Sequence, residues 1–511
     1  MNLFIRNAIA NFSNSFVTAL FGFLAIPLLI RGLGVESYGV VAFYGTIQAA
    51  VLVLDLGWTA LNGRQIALKR SKTITASDFE EYFKSVQIIF YGTVLLVLFL
   101  GFYFSTSIAG YISTDTFSVS SLSHYIAIMF ITASFKFLIA LYRSSLIAFE
   151  RQVEVASANI VFVTFRHIFP LLPIFLLGYG LDFFIWWQLT IAFIEYLFYI
   201  FAIRSSLDFT VNAFFYGADF RPLKLVYKFS GIIALTSGLW IFTSQIDRVL
   251  IASNFSLSQF GYYVPLVMTA ALIQLVAHPI ATAIRPKLNM VYQVSKHEGD
   301  EVLLLGVKLI SCLTIPASTI LFFSSESIVL FLLGSTIHGD EISELSSILR
   351  LFAIANMLTS ISANLYYYQV ALGNLKWHFI SAVIHPIILL PILYFCIFEF
   401  GMIGAGYATL VTNLILFLFF IPIFLSHGFS KIFEWVRLIV ILILMICIEA
   451  YCFNLLLDNM SYLSDNFILK IISNILNAII IGPFCFLISC AGFKGLKNPL
   501  RVIKLELKKI Q

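Results

Sequence analysis

Charge is scarce in this sequence. Asp, Glu, Lys and Arg make up 11% of its 511 residues, while 60% are hydrophobic and the mean hydropathy is +0.97. Soluble domains carry about 25% charged residues, so a soluble globular protein is excluded. Cysteine is sparse too: Cys312, Cys396, Cys447, Cys452, Cys485 and Cys490 sit inside apolar runs at no metal-ligating spacing. They read as small buried apolar side chains, with no disulfide framework. Also missing are a GxxxxGK[ST] phosphate loop, an HExxH pair and any clustered Cys/His set. The sequence therefore points to no catalytic site, no cofactor and no metal. A cleavable signal peptide is not expected, because Asn7, Asn11 and Asn14 interrupt the first apolar segment and no small-residue cleavage site follows it.

What fills the chain instead is a series of apolar runs, each near the roughly 20 residues a bilayer-spanning helix needs. Polar breaks divide them into spans at 8–30, 38–62, 86–106, 122–148, 155–177, 182–203, 226–252, 258–284, 301–323, 345–371, 377–397, 402–424, 433–456 and 467–490. The expected fold is an all-α polytopic membrane protein with 14 transmembrane helices. Basic residues orient it. With the N-terminus in the cytoplasm, Arg64, Lys69, Arg70, Arg151, Arg204, Arg221, Arg285 and Lys287 fall in cytoplasmic connections, and the opposite loops carry acids such as Glu36, Asp115, Glu326 and Asp458. Both termini are then cytoplasmic. These loops and the basic tail account for the net charge of +5 without a nucleic-acid partner. The tail itself, GFKGLKNPLRVIKLELKKIQ, reads as an anchor on anionic membrane lipid.

The chain contains a repeat. IPLLIRGLGVESYGVVAF (26–43) and DRVLIASNFSLSQFGYYV (247–264) both end a span, turn, and restart on an aromatic–Gly pair, Tyr38-Gly39 and Phe260-Gly261. The same offset brings NGRQIAL (62–68) near AIRPKLN (283–289), and Pro170 and Pro391 to similar depths. A six-span unit therefore occurs twice: an N-lobe over 1–203 and a C-lobe over 226–424, joined by a cytoplasmic linker at 204–225. Two further spans follow in 425–490, then the basic cytoplasmic tail, 491–511. An even number of spans keeps both lobes in one orientation, related by a pseudo-twofold axis along the membrane normal.

Polar stripes run along several spans. Asn7, Asn11, Asn14 and Thr18 share one helix face, and Gln48, Asp55, Thr59 and Asn62 mark the second span. Span 7 carries Ser237, Ser244 and Arg248 with Asp247 beside them; span 8 carries Gln274, His278 and Arg285; span 10 carries Arg350, Asn356 and Asn364. A single such residue is ordinarily an interhelical hydrogen bond, contributing about 0.6–2 kcal/mol. Matched stripes on spans 1, 2, 7 and 8 read better as a wet surface between the lobes, since unpartnered polar groups in lipid cost several kcal/mol.

Ionisable residues at middle depth are Asp55, Lys136, Arg166, Glu195, Lys308 and His385, with Arg143 nearer an end. A charge at a helix centre costs at least about 2.5–3.5 kcal/mol, so it faces the bundle interior or water. Lys136 and Arg143 share a face, and Arg166 precedes Pro170 and Pro173, whose freed carbonyls would help line a cavity. Two readings stand open for these charges: an anion-binding set, or interhelical ion pairs such as Arg166–Glu195. Asp247 and Arg248 point about 100° apart on a helix and read as a continuation of the span 7 stripe to the cavity mouth.

The segments GLGVESYGVVAF, LDLGWTALNGRQIA, QIDRVLIASNFSLSQFGYY, VALGNLKWHF and GMIGAGYATL, in that order, resemble those of bacterial polysaccharide-export flippases of the O-antigen type. These belong to the multidrug/oligosaccharidyl-lipid/polysaccharide (MOP) exporter superfamily. The resemblance covers spans 1–12 and implies a V-shaped pair of six-helix lobes around a central cavity, lined by helices 1, 2, 7 and 8, in the bacterial inner membrane. It implies translocation of undecaprenyl-pyrophosphate-linked oligosaccharide units from the cytoplasmic to the outer leaflet, by alternating access, for O-antigen or capsule. The implied partners are that polyprenyl-pyrophosphate-linked glycan, membrane lipids, and polysaccharide polymerase or chain-length proteins.

On that reading Lys136, Arg143 and Arg166 are candidates for the anionic head group, followed by Arg64, Arg248, Arg285 and Arg350, because cations make charge-assisted hydrogen bonds to phosphate. Asp55, Asp247 and Glu195 are candidates for gating or ion coupling. Asn7, Asn11, Asn14, Gln48, Ser237, Ser244, Gln274, His278, Asn356 and Asn364 are the cavity-lining candidates. Mixed acids separate this set from the strongly cationic cavity of lipid II flippases. Two other functions remain open. A cation-coupled multidrug antiporter of the same superfamily would favour an acidic cavity, and a polytopic glycan polymerase or ligase would need a larger external loop.

Overall fold

The computed structural model describes residues 3–114, 116–207, 235–292, 295–334, 337, 339–363, 366, 368–369 and 376–420. Regular structure among them is entirely helical. Nine helices among the described residues are long and apolar enough to cross a membrane, from Ile9–Leu33 to Lys376–Phe400. Their outward faces are apolar: Leu95, Phe99 and Tyr103 on one helix are 69%, 66% and 68% exposed, and Tyr394 and Phe398 on another are 70% and 80% exposed. Water would not tolerate such continuous belts on a monomer, whereas lipid does. This is an integral membrane protein.

The chain divides into two compact units, Met1–Val264 and Pro265–Gln511. In the first, α1 (Leu3–Leu33) and α2 (Val35–Val53) are followed by α3 (Trp58–Arg70), α4 (Ala76–Ile112), α5 (Val119–Ala148), α6 (Gln152–His167), α7 (Leu171–Leu177) and α8 (Leu181–Arg204). Residues 235–243 form α9, and α10 spans Ile246–Asn254. Helix α5 is central, packing on α2, α3, α4, α6 and α8. Aromatic side chains fill the space between α4 and α5, with Phe90 stacked on Phe137 at 4.6 Å. Thr75 starts α4 with a capping box: its hydroxyl accepts from the Asp78 N–H at 3.1 Å, satisfying one otherwise orphan donor.

Three breaks within expected spans stand out among the described residues. Span 38–62 splits into α2 and α3 at Leu54–Gly57, where Leu56 (φ 42) and Gly57 (φ 77) take left-handed conformations. Asp55 holds this break, accepting from Thr59 N–H at 3.1 Å and Thr59 Oγ1 at 2.7 Å. Span 155–177 splits into α6 and α7 just before Pro170, which has no N–H to offer Arg166 O. The described part of span 226–252 turns at Ser244–Gln245.

The two segments compared in the sequence, 26–43 and 247–264, meet in the structure. Helix α11 (Leu257–Tyr292) begins against α2, and the approach is reciprocal. A Cβ on Gly261 would fall 2.5 Å from Val35 O and 3.2 Å from Gly39 N, and one on Gly39 would meet Leu257 O. Beside them Ser258 Oγ donates to Glu36 Oε1 at 3.2 Å, across an interval of 222 residues. Only glycine permits backbones this close.

In the second unit α12 (Lys296–Phe323) packs on α13 (Ser325–Leu333) and α14 (Gly339–Ser362), and α14 packs on α16 (Ile403–Ile415), whose hairpin partner is α15 (Lys376–Phe400). A Cβ on Gly404 would strike Cys396 O, so the α15–α16 hairpin also depends on a bare backbone. Described helix therefore lies within each of the first twelve expected spans. Spans 433–456 and 467–490, the tail, and linker residues 208–225 lie outside the described residues.

Candidate substrate-binding site

Three helices of the first unit bring Lys136, Arg166 and Glu195 together. Lys136 comes from the middle of α5, Arg166 from the last turn of α6 and Glu195 from the middle of α8. Both cations donate to one carboxylate oxygen, Glu195 Oε2. The three side chains are 8%, 15% and 3% exposed, so the cluster is interior. Helix α8 also reaches α6 beside the cluster: Gln188, two turns before Glu195, donates from Nε2 to Arg166 O at 3.0 Å. Trp187 Nε1 donates to Phe165 O at 2.7 Å. The carbonyls released near Pro170 are thus capped by α8 rather than lining a cavity, contrary to the sequence expectation. Arg166 is fixed by its backbone as well as its side chain.

Arg143 lies two turns along α5 from Lys136, about 10 Å along the axis. It is partly exposed and makes no hydrogen bond or ion pair among the described residues. Arg166 Nε, Tyr44 Oη and Tyr199 Oη are buried and unbonded among them too. Tyr44 lies within the field of Arg166 and Glu195, and Tyr199 within that of Arg143, Glu195 and Arg166. Lys136 and Arg166 meet one carboxylate while Arg143 stands farther along α5, so three basic side chains share one acid, with unused donors around it.

The remaining predicted residues have other surroundings. Asn11 donates to Gln152 at 2.9 Å, and Asn159 donates to Asn14 at 2.7 Å and Thr18 at 3.1 Å, so the first-span stripe meets α6. Asn7 and Gln48 are partly buried, Ser237 and His278 exposed, and Ser244 bonds its own helix at Ile241 O. Asp247 is buried against Tyr263, and Arg248 Nη1 donates to Gln245 at 3.1 Å. Arg64 is exposed. In the second unit Gln274 donates to Asn356 at 2.5 Å. Arg350 binds Ser325 Oγ at 2.7 Å and Glu326 Oε1 at 2.9 Å, stapling α14 to α13. The Arg285 side chain and Asn364 lie outside the described set. Sequence reasoning missed Tyr44, Tyr199, Asn159 and Gln188; only Gln188 left a signal, its seven-residue spacing from Glu195.

The family model described as polysaccharide biosynthesis protein matches residues 4–291. The chain belongs to this family. No curated protein sequence matches it. Among solved structures, the lipid II flippase MurJ in an inward closed conformation is similar with a TM-score of 0.68 at 18% identity, covering 93% of this chain and 98% of that one. The MATE multidrug transporter DinF-BH, in complex with R6G, gives 0.59 at 16% identity over 84% and 96%. An outward-facing MATE family transporter of the MOP superfamily gives 0.55 at 16% identity over 81% and 93%. At these identities the likeness is one of fold. This polysaccharide biosynthesis family member has the helical fold of MOP exporters, as the sequence motifs implied.

Proposed function

We propose that this chain is a flippase. It carries undecaprenyl-pyrophosphate-linked oligosaccharide units from the cytoplasmic to the outer leaflet of a bacterial inner membrane, for surface polysaccharide such as O-antigen or capsule. Its two six-helix lobes, 1–203 and 226–424, alternate access, both termini are cytoplasmic, and it transports without chemical conversion. The observation that carries this reading is the cationic excess of Lys136, Arg143 and Arg166 around Glu195, with Arg143 unpaired among the described residues. A diphosphate diester carries two ionised oxygens that hydrocarbon cannot solvate, and these cations would replace its water. A drug antiporter for cations would instead present unpaired acids. Here Asp55, Glu195 and Asp247 each accept hydrogen bonds from the protein.

The test is mass spectrometry of polyprenyl-linked lipids, with analysis of surface glycan, in a strain lacking the gene. Accumulated lipid-linked repeat units with no surface glycan support the flippase. Accumulation with single repeats still reaching the surface assigns a polymerase instead, and unchanged lipids and glycan leave drug efflux as the function.

A further inference from the structure

Glu195 is an unexpected group at the centre of an anion site. A carboxylate there repels the phosphate that the surrounding cations attract. Its geometry also sets it apart from an ordinary structural ion pair: one oxygen, Oε2, accepts from both Lys136 and Arg166. Without any anion, the buried cations Lys136 and Arg166 would stand uncompensated in a low-dielectric interior. With Glu195 held permanently on both, the substrate would find only Arg143 fully open.

We infer that Glu195 is a displaceable internal anion. It occupies Lys136 and Arg166 between transport cycles and yields Arg166 when a diphosphate arrives on Arg143. This rests on the head-group reading proposed above and adds to it a residue that sets affinity through its partners; Glu195 is thus a positioning residue.

Three observations favour Arg166 as the partner released. It is the more exposed of the two cations, at 15% against 8% for Lys136. Its Nε is buried without a hydrogen bond, so it has a donor to give before any existing bond breaks. It also lies in the last turn of α6 with its carbonyl held by Gln188, so only its side chain need turn. Lys136 then keeps Glu195 compensated while Arg166 turns to phosphate. Tyr44 and Tyr199, whose buried hydroxyls are also unbonded among the described residues, add two further donors within the field of these charges. Charge is conserved in character throughout: a carboxylate leaves one guanidinium as a phosphate oxygen replaces it.

A carrier that must release its cargo benefits from such a competitor. Binding that is equally strong in every state lowers KM without raising turnover. Glu195 would weaken the loaded state enough for the head group to leave, which gives the carboxylate a role beyond packing.

The experiment uses the full-length protein in lipid nanodiscs, with inorganic pyrophosphate as probe in isothermal titration calorimetry. Glu195→Gln keeps the shape and removes the charge. It is expected to tighten pyrophosphate binding about tenfold or more, and in a vesicle transport assay with polyprenyl-diphosphate glycan to lower both KM and maximal rate. If the wild type fails to bind pyrophosphate, the head-group reading falls and this inference with it. If the wild type binds and a folded Glu195→Gln binds equally or more weakly, only the role of Glu195 is overturned. Should Glu195→Gln fail to fold, Glu195→Asp serves: its shorter side chain reaches one cation only, so binding should tighten, and unchanged affinity overturns the inference.

Discussion

Asp247 accepts a 2.6 Å hydrogen bond from Tyr263 Oη, tying α10 to α11 across the intervening turn. Asp247 is 7% exposed and Tyr263 is fully buried. Its neighbour Arg248 turns instead to Gln245. The adjacent acid and base at the end of span 7 therefore serve different partners, as residues about 100° apart on a helix must.

Removing the tyrosine hydroxyl would leave a buried carboxylate with its desolvation penalty and one donor fewer. Tyr263→Phe is expected to lower stability by about 1–3 kcal/mol, and Asp247→Asn, which keeps an acceptor oxygen, by less. Thermal unfolding in detergent reads the order. A Tyr263→Phe protein that melts with the wild type refutes it.

Arg143 separates binding from stability, because among the described residues it has no protein partner to lose. Arg143→Gln should cut flipping about tenfold or more, the loss of roughly one charge-assisted contact, while the melting temperature barely moves. Arg166→Gln should reduce both, since it strips a partner from buried Glu195. Lipid-linked glycan accumulation in cells, set beside melts of the purified variants, distinguishes the two patterns. A large drop in stability for Arg143→Gln would mean that it has a structural role instead.

Two glycines of α2 give a matched pair. A Cβ on Gly45 meets nothing within 4 Å, whereas one on Gly39 meets the Leu257 carbonyl and comes within 2.9 Å of Leu257 Cγ. Gly45→Ala should be neutral or stabilising by up to about 1 kcal/mol, and Gly39→Ala destabilising by about 1–3 kcal/mol. Equal effects on unfolding would show that the α2–α11 approach tolerates a side chain.

At the turn between α5 and α6, Glu150 pairs with Arg70 at 3.0 Å. The hydrogen bond from Arg70, then its charge, hold the Glu150 carboxyl below its ordinary value of 4.5. A lowered carboxylate pKa means the contribution is present above the unfolded value and is lost as pH falls through the folded one. Glu150→Gln should therefore lower the melting temperature slightly at neutral pH and make no difference well below pH 4.5. The pair is exposed, so added salt should shrink the neutral-pH difference as well. A difference that grows with acid would contradict this assignment.

Helix positions were legible because length and hydropathy are local properties. The breaks were less so. Asp55 and Thr59 are an i, i+4 pair that caps the start of α3, and LDLGWT carries that signal, but inside an apolar run it looks like a polar stripe. The cluster was legible in membership and in one pairing, Arg166–Glu195, which the sequence left as one of two open readings. Lys136 lies 59 residues from Glu195 and Arg166 lies 29 from it, so no local spacing could tell that Lys136 joins the pair, or that one oxygen takes both cations. The first-span asparagines share a face by spacing, yet periodicity does not say what a face meets, and the Gln152 and Asn159 partners of Asn11 and Asn14 are only found in three dimensions.

The reciprocal approach of Gly39 and Gly261 has a historical consequence. Val35, Glu36 and Gly39 meet Leu257, Ser258 and Gly261, each residue near the equivalents of its own group in the other repeat. That is the self-complementary pattern of a twofold dimer interface, made inside one polypeptide. A half-length ancestor pairing in parallel with its own copy would have possessed this contact from the outset, and tandem fusion of its gene would have preserved it. Fusion also breaks the identity of the partners. Here Glu36 accepts and Ser258 donates, a division of labour that two products of a single gene cannot have.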